Sequence, residues 1–190
     1  MITIYTGPMF SGKTTSLIAE TQLAIEAGKK VLAIKPKIDK RFSEKDIVTH
    51  DGISFWNNTT AELQIVDTDI DFCKGKLFDK FFDCDLLVID EVQFFENIQS
   101  IIELSQDFLV DIVCSGLDLD SNGKPFGNMP LLLIYANNII KCTGKCSVCS
   151  DPSTRSYRKN TSNNKQIFIG GEQEYEPRCY FHWKNPTIVS

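Results

Sequence analysis

Eight consecutive residues near the N-terminus constrain this chain more than any others: Gly7-Pro8-Met9-Phe10-Ser11-Gly12-Lys13-Thr14 reads G-x-x-x-x-G-K-[ST]. The two glycines let the backbone curl so that its N–H groups face inward, a nest for phosphate oxygens. Lys13 brings a cation to the β and γ positions, and the Thr14 hydroxyl can hold Mg²⁺. A glycine-rich surface turn is the bland alternative, but the flanks argue against it. The apolar run Ile2-Thr3-Ile4-Tyr5 precedes the loop as a buried strand, and Leu17, Ile18, Ala24 and Ile25 follow at helical spacing up to Gly28. The pattern predicts a nucleoside triphosphate on a strand–loop–helix unit.

Further along, Val31-Leu32-Ala33-Ile34 predicts a second buried strand and residues 35–51 a polar loop near the phosphates. Leu86-Leu87-Val88-Ile89 runs into two carboxylates, Asp90-Glu91, as a strand buried on both faces of a parallel sheet does. Ile98, Ile101, Ile102, Ser105 and Phe108 carry a helical period; residues 111–116 predict another strand, and 131–136 a helix. Alternating strands and helices imply an α/β fold up to about residue 141. Beyond that, short polar pieces separate cysteines, and Gln166-Ile167-Phe168-Ile169 is β-like, so the expected division is a nucleotide-binding core at 1–141 and a small second unit at 142–190.

No apolar run approaches the ~18 residues of a membrane span, and the start of the sequence lacks a signal-like segment, so a cytoplasmic protein is expected. The net charge of −5 argues against a duplex nucleic-acid binder. Seven cysteines, an odd number, fit reduced thiols and a metal better than a disulfide frame.

Two constellations carry chemistry. In open parallel sheets ligands bind outside the carboxyl ends of strands, which puts Asp90 and Glu91 beside the phosphate loop. Asp90 is suited to position Mg²⁺, leaving Glu91 free to accept a proton from an attacking hydroxyl; a merely structural Glu91 at a helix start is the alternative. Cys146-x-x-Cys149 and Cys179-x-x-His182 form two chelate pairs, a Cys₃His set for a closed, structural Zn²⁺. Cys142 stands at the wrong spacing and is expected to be a spare thiol.

With these motifs and Asp90-Glu91-Val92-Gln93-Phe94-Phe95 together, the chain resembles the type II thymidine kinase family over nearly its whole length. The likeness extends to Thr49-His50-Asp51, to Gly116-Leu117-Asp118 followed by Lys124-Pro125-Phe126-Gly127, and to Ile169-Gly170-Gly171 ahead of Tyr175. It implies a RecA-like phosphate-loop core with a parallel sheet, a small zinc-held lasso domain, a homotetramer, and transfer of the ATP γ-phosphate to the 5′-hydroxyl of thymidine. It implies Glu91 as general base, aided by Lys13 and Arg41. It extends the phosphate-binding set from Gly7–Thr14 to Thr15, Asp90 and Gln93. The nucleoside side would comprise Met9, Asp39, Phe94, Leu117, Phe126, Ser156, Phe168, Ile169, Gly170 and Tyr175. One departure stands out: Ser121 occupies a position where the family commonly has an aromatic. A rival reading is an ATP-hydrolysing motor or switch with the zinc unit as its docking module; a third is an inactive nucleotide-binding regulator.

Overall fold

The computed structural model describes residues 1–40, 46–48, 52, 54–55, 61–159 and 166–188. Arg41 and the Thr49-His50-Asp51 stretch lie outside these. Six strands, β1 (Ile2–Thr6), β2 (Val31–Pro36), β3 (Glu62–Val66), β4 (Leu86–Ile89), β5 (Asp111–Gly116) and β6 (Asn138–Lys141), form one sheet in the order β3-β2-β4-β5-β1-β6. Every pairing in it is parallel. The α/β expectation is therefore met, and all six strands end on the same edge of the sheet.

The alternation within each strand explains why helices cover both faces. Ile2, Ile4, Leu32, Ile34, Leu87, Ile89, Ile112 and Cys114 join one buried cluster, while Val31, Ala33, Leu86, Val88 and Val113 join the other. Helix α1 (Lys13–Glu26) closes the second face through Leu17 and Ile18. The first face is closed by α2 (Phe78–Phe82), α3 (Ile98–Gln106) and α4 (Met129–Tyr135), whose Phe81, Ile98, Ile101, Ile102, Leu104, Met129 and Leu132 are all buried. Each such side chain contributes about 1.5–3 kcal/mol of transfer free energy, which holds the strand ends in register. Helix α3 starts at Asn97, whose side chain accepts from the Ser100 N–H. It ends at Gln106, so Phe108 lies beyond it, before Leu109 at φ 60.

The strands that the sequence pattern did not single out are the edges, β3 and β6. Edge strands bury less, so their hydrophobic signal is weak: β6 is exposed along its length.

After β6 the chain forms two small antiparallel pairs, β7 (Gly144–Lys145) with β8 (Pro152–Ser153) and β9 (Arg155–Arg158) with β10 (Tyr175–Arg178), followed by α5 (Tyr180–Lys184). Tyr175 of β10 belongs to the same buried cluster as Ile2 and Ile4. Residues 166–169 are not a strand, contrary to the β-like expectation. The Phe168 carbonyl accepts instead from the Tyr175 hydroxyl at 2.7 Å, a side-chain bond in place of a ladder.

Candidate active site and metal centre

Between β1 and α1 the chain makes the curl that the glycine spacing predicts. Gly7 has φ 137, Phe10 φ 60 and Gly12 φ 78. A Cβ on Gly7 would sit 2.2 Å from the Cys142 carbonyl oxygen, so only glycine lets the loop pass the end of β6. Lys13 is buried, and its Nζ donates to the Pro8 carbonyl at 2.6 Å, bent over the loop it serves. Ser11 Oγ donates to the same carbonyl at 2.8 Å. The first turn of α1 holds no acidic residue of its own, which leaves the positive end of the helix facing the place where an anion would sit. Thr15 is exposed on that first turn. Burial raises the Cys142 thiol above its usual range, and the charge of Lys13 pulls against that shift. The Cys142 backbone thus borders the phosphate loop, while its thiol lies outside the Cys146, Cys149, Cys179 and His182 cluster.

At the end of β4, Asp90 is buried and accepts hydrogen bonds on Oδ1 from Ser115 Oγ and, at 3.5 Å, from Thr14 Oγ1. A hydroxyl and a carboxylate side by side are the hard oxygen donors that Mg²⁺ takes, and the two residues fit it. Glu91 follows in the left-handed region at φ 51, ψ 44, a conformation costing about 1–3 kcal/mol for a residue with a Cβ. That turn directs the chain into a short 3₁₀ segment, Val92–Phe94. Gln93 Nε2 donates to Glu91 Oε2 at 2.5 Å, while Gln93 Oε1 accepts from the Leu117 N–H at 3.1 Å. Glu91, 8% exposed, is thereby oriented by a relay that begins on the loop after β5.

Next to it lies a narrow cavity, ≈ 30 Å³ in volume and partly open to solvent. Nine of the ten residues expected on the nucleoside side line it: Met9, Phe94, Leu117, Phe126, Ser156, Phe168, Ile169, Gly170 and Tyr175. The tenth, Asp39, is not in the lining; it is buried with its carboxylate 3.7 Å from the ammonium of Lys35. Phe94 and Phe126 meet edge to face at 5.9 Å. The Met9 N–H donates to Ser156 Oγ at 2.9 Å, so phosphate loop and β9 are joined where loop and cavity meet. The lining also includes Leu119, Asp120, Ser121 and Gln166. Of these, the sequence singles out Ser121 for the cavity; Gln166 reads only as the start of a β-like run, and Leu119 and Asp120 stand in a polar, turn-rich stretch with no periodic signal. Arg158 was also missed. It is buried and donates to the Tyr175 hydroxyl from Nε at 3.1 Å and Nη2 at 2.9 Å, fixing the ring that closes one wall.

The two chelate pairs come together as their spacing predicts. The ligand atoms of Cys146, Cys149, Cys179 and His182 all lie within 4.8 Å of one another. Cys179 Sγ and Cys146 Sγ stand 3.3 and 3.7 Å from His182 Nδ1, and Cys149 Sγ is 3.9 Å from Cys179 Sγ. A tetrahedral Zn²⁺ about 2.3 Å from sulfur and 2.0–2.1 Å from nitrogen needs edges of roughly 3.5–3.8 Å, so this set fits it. Burial works against ionising Cys146, yet the N–H groups of Cys179, Cys149 and Val148 outweigh it and bring the thiol down to about 6. At Cys149 the Asp151 N–H favours the thiolate, but burial and the Cys146 side chain push the thiol up to about 12. Neighbouring sulfurs resist ionising together without a cation between them.

Compared with known proteins, the chain matches the family model described as Thymidine kinase over residues 1–183. It is 37% identical over 183 residues to a thymidine kinase of Mesomycoplasma hyopneumoniae (strain 7448), covering 94% of this chain and 92% of that protein. It is 35% identical over 190 residues to a thymidine kinase of Onion yellows phytoplasma (strain OY-M), covering 95% and 85%. A thymidine kinase of Thermococcus kodakarensis is 36% identical over 186 residues, covering 94% and 91%.

Proposed function

The chain belongs to the thymidine kinase family, and on that premise we propose how its residues move the γ-phosphate of ATP to the 5′-hydroxyl of thymidine, giving dTMP and ADP. The observation that carries the reading is the join at Met9: one residue lends its N–H to Ser156 and its side chain to the cavity while belonging to the phosphate loop. A nucleoside in that cavity reaches the end of the triphosphate without leaving the protein.

The N–H groups of the loop and the ammonium of Lys13 hold the phosphates and spread the charge that builds on the moving group. Thr14 and Asp90 would hold Mg²⁺, which when bound neutralises the β and γ oxygens. Glu91 accepts the proton of the 5′-hydroxyl, with Gln93 fixing the direction of its carboxylate. Arg41 and Asp39 serve the acceptor side of the phosphate. The apolar walls, Met9, Leu117 and Phe126 among them, take the base, and the lasso keeps out the water that would compete with thymidine.

We divide the chain at 141/142 into core and lasso, the latter held by Zn²⁺ on Cys146, Cys149, Cys179 and His182. A zinc site with three thiol ligands suits the reducing cytoplasm. We also infer a homotetramer. Its support is the exposed apolar surface of α4 and β6: Ile134 faces solvent on the helix, and Ile139 and Ile140 on an edge strand paired, among the described residues, only to β1.

The test is transfer from γ-labelled ATP with Mg²⁺ to a panel of nucleosides by the zinc-replete protein. Labelled dTMP, with little label on cytidine or purine nucleosides, is the expected result. Label released only as free phosphate overturns it and favours an ATP-hydrolysing switch.

A further inference from the structure

The rim of the cavity is a turn, residues 118–126, that the lasso grips at two points. From behind, the Trp183 indole N–H donates to the Ser121 carbonyl at 3.0 Å, and its ring fills the space a Cβ on Gly123 would take, 2.9 Å away. At the cavity's edge the grip is Gln166. Its Nε2 donates to Asp120 Oδ2 at 3.0 Å and to the Pro125 carbonyl at 3.1 Å. Both partners are acceptors, so the NH₂ side of the amide alone satisfies them, one hydrogen to each. Asp120 is buried and holds the turn as well: its Oδ1 accepts from the N–H groups of Asn122 and Lys124, both at 2.9 Å. Gln166 opens the segment whose Phe168, Ile169 and Gly170 line the cavity, and that segment has no strand ladder to hold it.

We propose that Gln166 is a positioning residue for the nucleoside, a latch on Asp120 and Pro125 that keeps the lasso segment shut across the cavity. It acts through the segment it anchors and touches no reacting atom. With the latch intact the 5′-hydroxyl is held and water is excluded; with it broken the cavity opens at its rim. The inference rests on the thymidine kinase reading above.

The experiment compares Gln166→Ala with Gln166→Glu. The Glu variant keeps size and shape but turns an oxygen onto two acceptors, so it repels where Ala only lets go. The expected order of damage is therefore wild type, then Ala, then Glu. Thymidine KM should rise about five- to tenfold in Q166A and further in Q166E, with ATP KM within about twofold of wild type, the scale of one or two hydrogen bonds. Free phosphate released per dTMP formed should rise in the same order, a readout that a residue serving only to fill space would not move. A Glu variant as good as or better than Ala overturns the latch, as do wild-type KM and phosphate release in both variants. Wild-type protein that forms no dTMP overturns instead the kinase reading on which the latch rests.

Discussion

At the scale of single residues, Glu91 combines a costly backbone conformation with a carboxylate oriented by a neighbour, Gln93. A group held so is poised for one task. Glu91→Gln is expected to lower turnover roughly 10²–10⁴-fold while ATP binding stays near wild type. Single-turnover dTMP formation and ATP calorimetry measure the two separately; unchanged turnover would remove Glu91 from the role of base. Cys114 makes a different point. It is fully buried in β5, and burial alone raises its thiol far above the ordinary 9.0. The unfolded chain ionises this thiol above pH 9 while the folded chain keeps the proton, so stability is lost as pH rises past 9. The slope for this group is about 1.4 kcal/mol per pH unit. Cys73 and Cys84, raised to about 11 chiefly by burial, act in the same direction between pH 9 and 11. Denaturant unfolding from pH 8 to 10.5 should show the decline, and Cys114→Ala, less stable at pH 8, should decline less steeply.

At the scale of elements, the sheet's two edges differ. β3 has Glu62 exposed and ion-paired with Lys80, a charge that discourages pairing with another strand. β6 offers Ile139 at 46% exposure, and α4, the helix that precedes it in the chain, offers Ile134 at 77%. Such a strand asks for a partner. Replacing both isoleucines with Lys should lower the mass in solution to half or a quarter of that of the proposed tetramer, as light scattering would read it, since buried unpaired charge is costly at an interface. An unchanged mass would move the subunit contact elsewhere. The motifs sit where elements end, on the phosphate loop after β1 and the carboxylates after β4. Elements supply position; the residues just past them supply chemistry.

At the scale of the whole molecule, the Cys/His cluster that could hold zinc and the cavity are parts of one arrangement. His182 lies next to Trp183, which bonds to the cavity's rim, and Arg178 donates from Nη1 to the His182 carbonyl at 3.0 Å while lying over the Tyr157 ring. Removing zinc, by chelation or by Cys149→Ser, should therefore loosen the rim as well as the metal centre. Thymidine KM is expected to rise roughly tenfold or more, with ATP affinity much less affected and a lower Tm. Nucleoside titrations and melting curves with and without added zinc would check this. Full metal content and full activity in Cys149→Ser would take Cys149 out of the ligand set.

Much of this was legible in the sequence because it is local. The phosphate loop needs glycines at fixed offsets, chelate pairs need two intervening residues, and buried parallel strands need unbroken apolar runs; Gly7–Thr14, Cys146–Cys149 and Leu86–Ile89 each satisfy a rule that spans one turn or one strand. The edge strands were less visible, because a strand that buries little, β6 along its whole length, carries little of the apolar pattern. What the tertiary structure alone decided is long-range pairing among polar groups. That Gln166 meets Asp120 across 46 positions, that Trp183 meets Ser121 across 62, and that Met9 meets Ser156 across 147 leaves no periodic trace. A hydrogen bond needs only one donor and one acceptor in reach, and almost any polar residue offers at least one of the two. Which two come together is fixed by the packing of the apolar side chains around them.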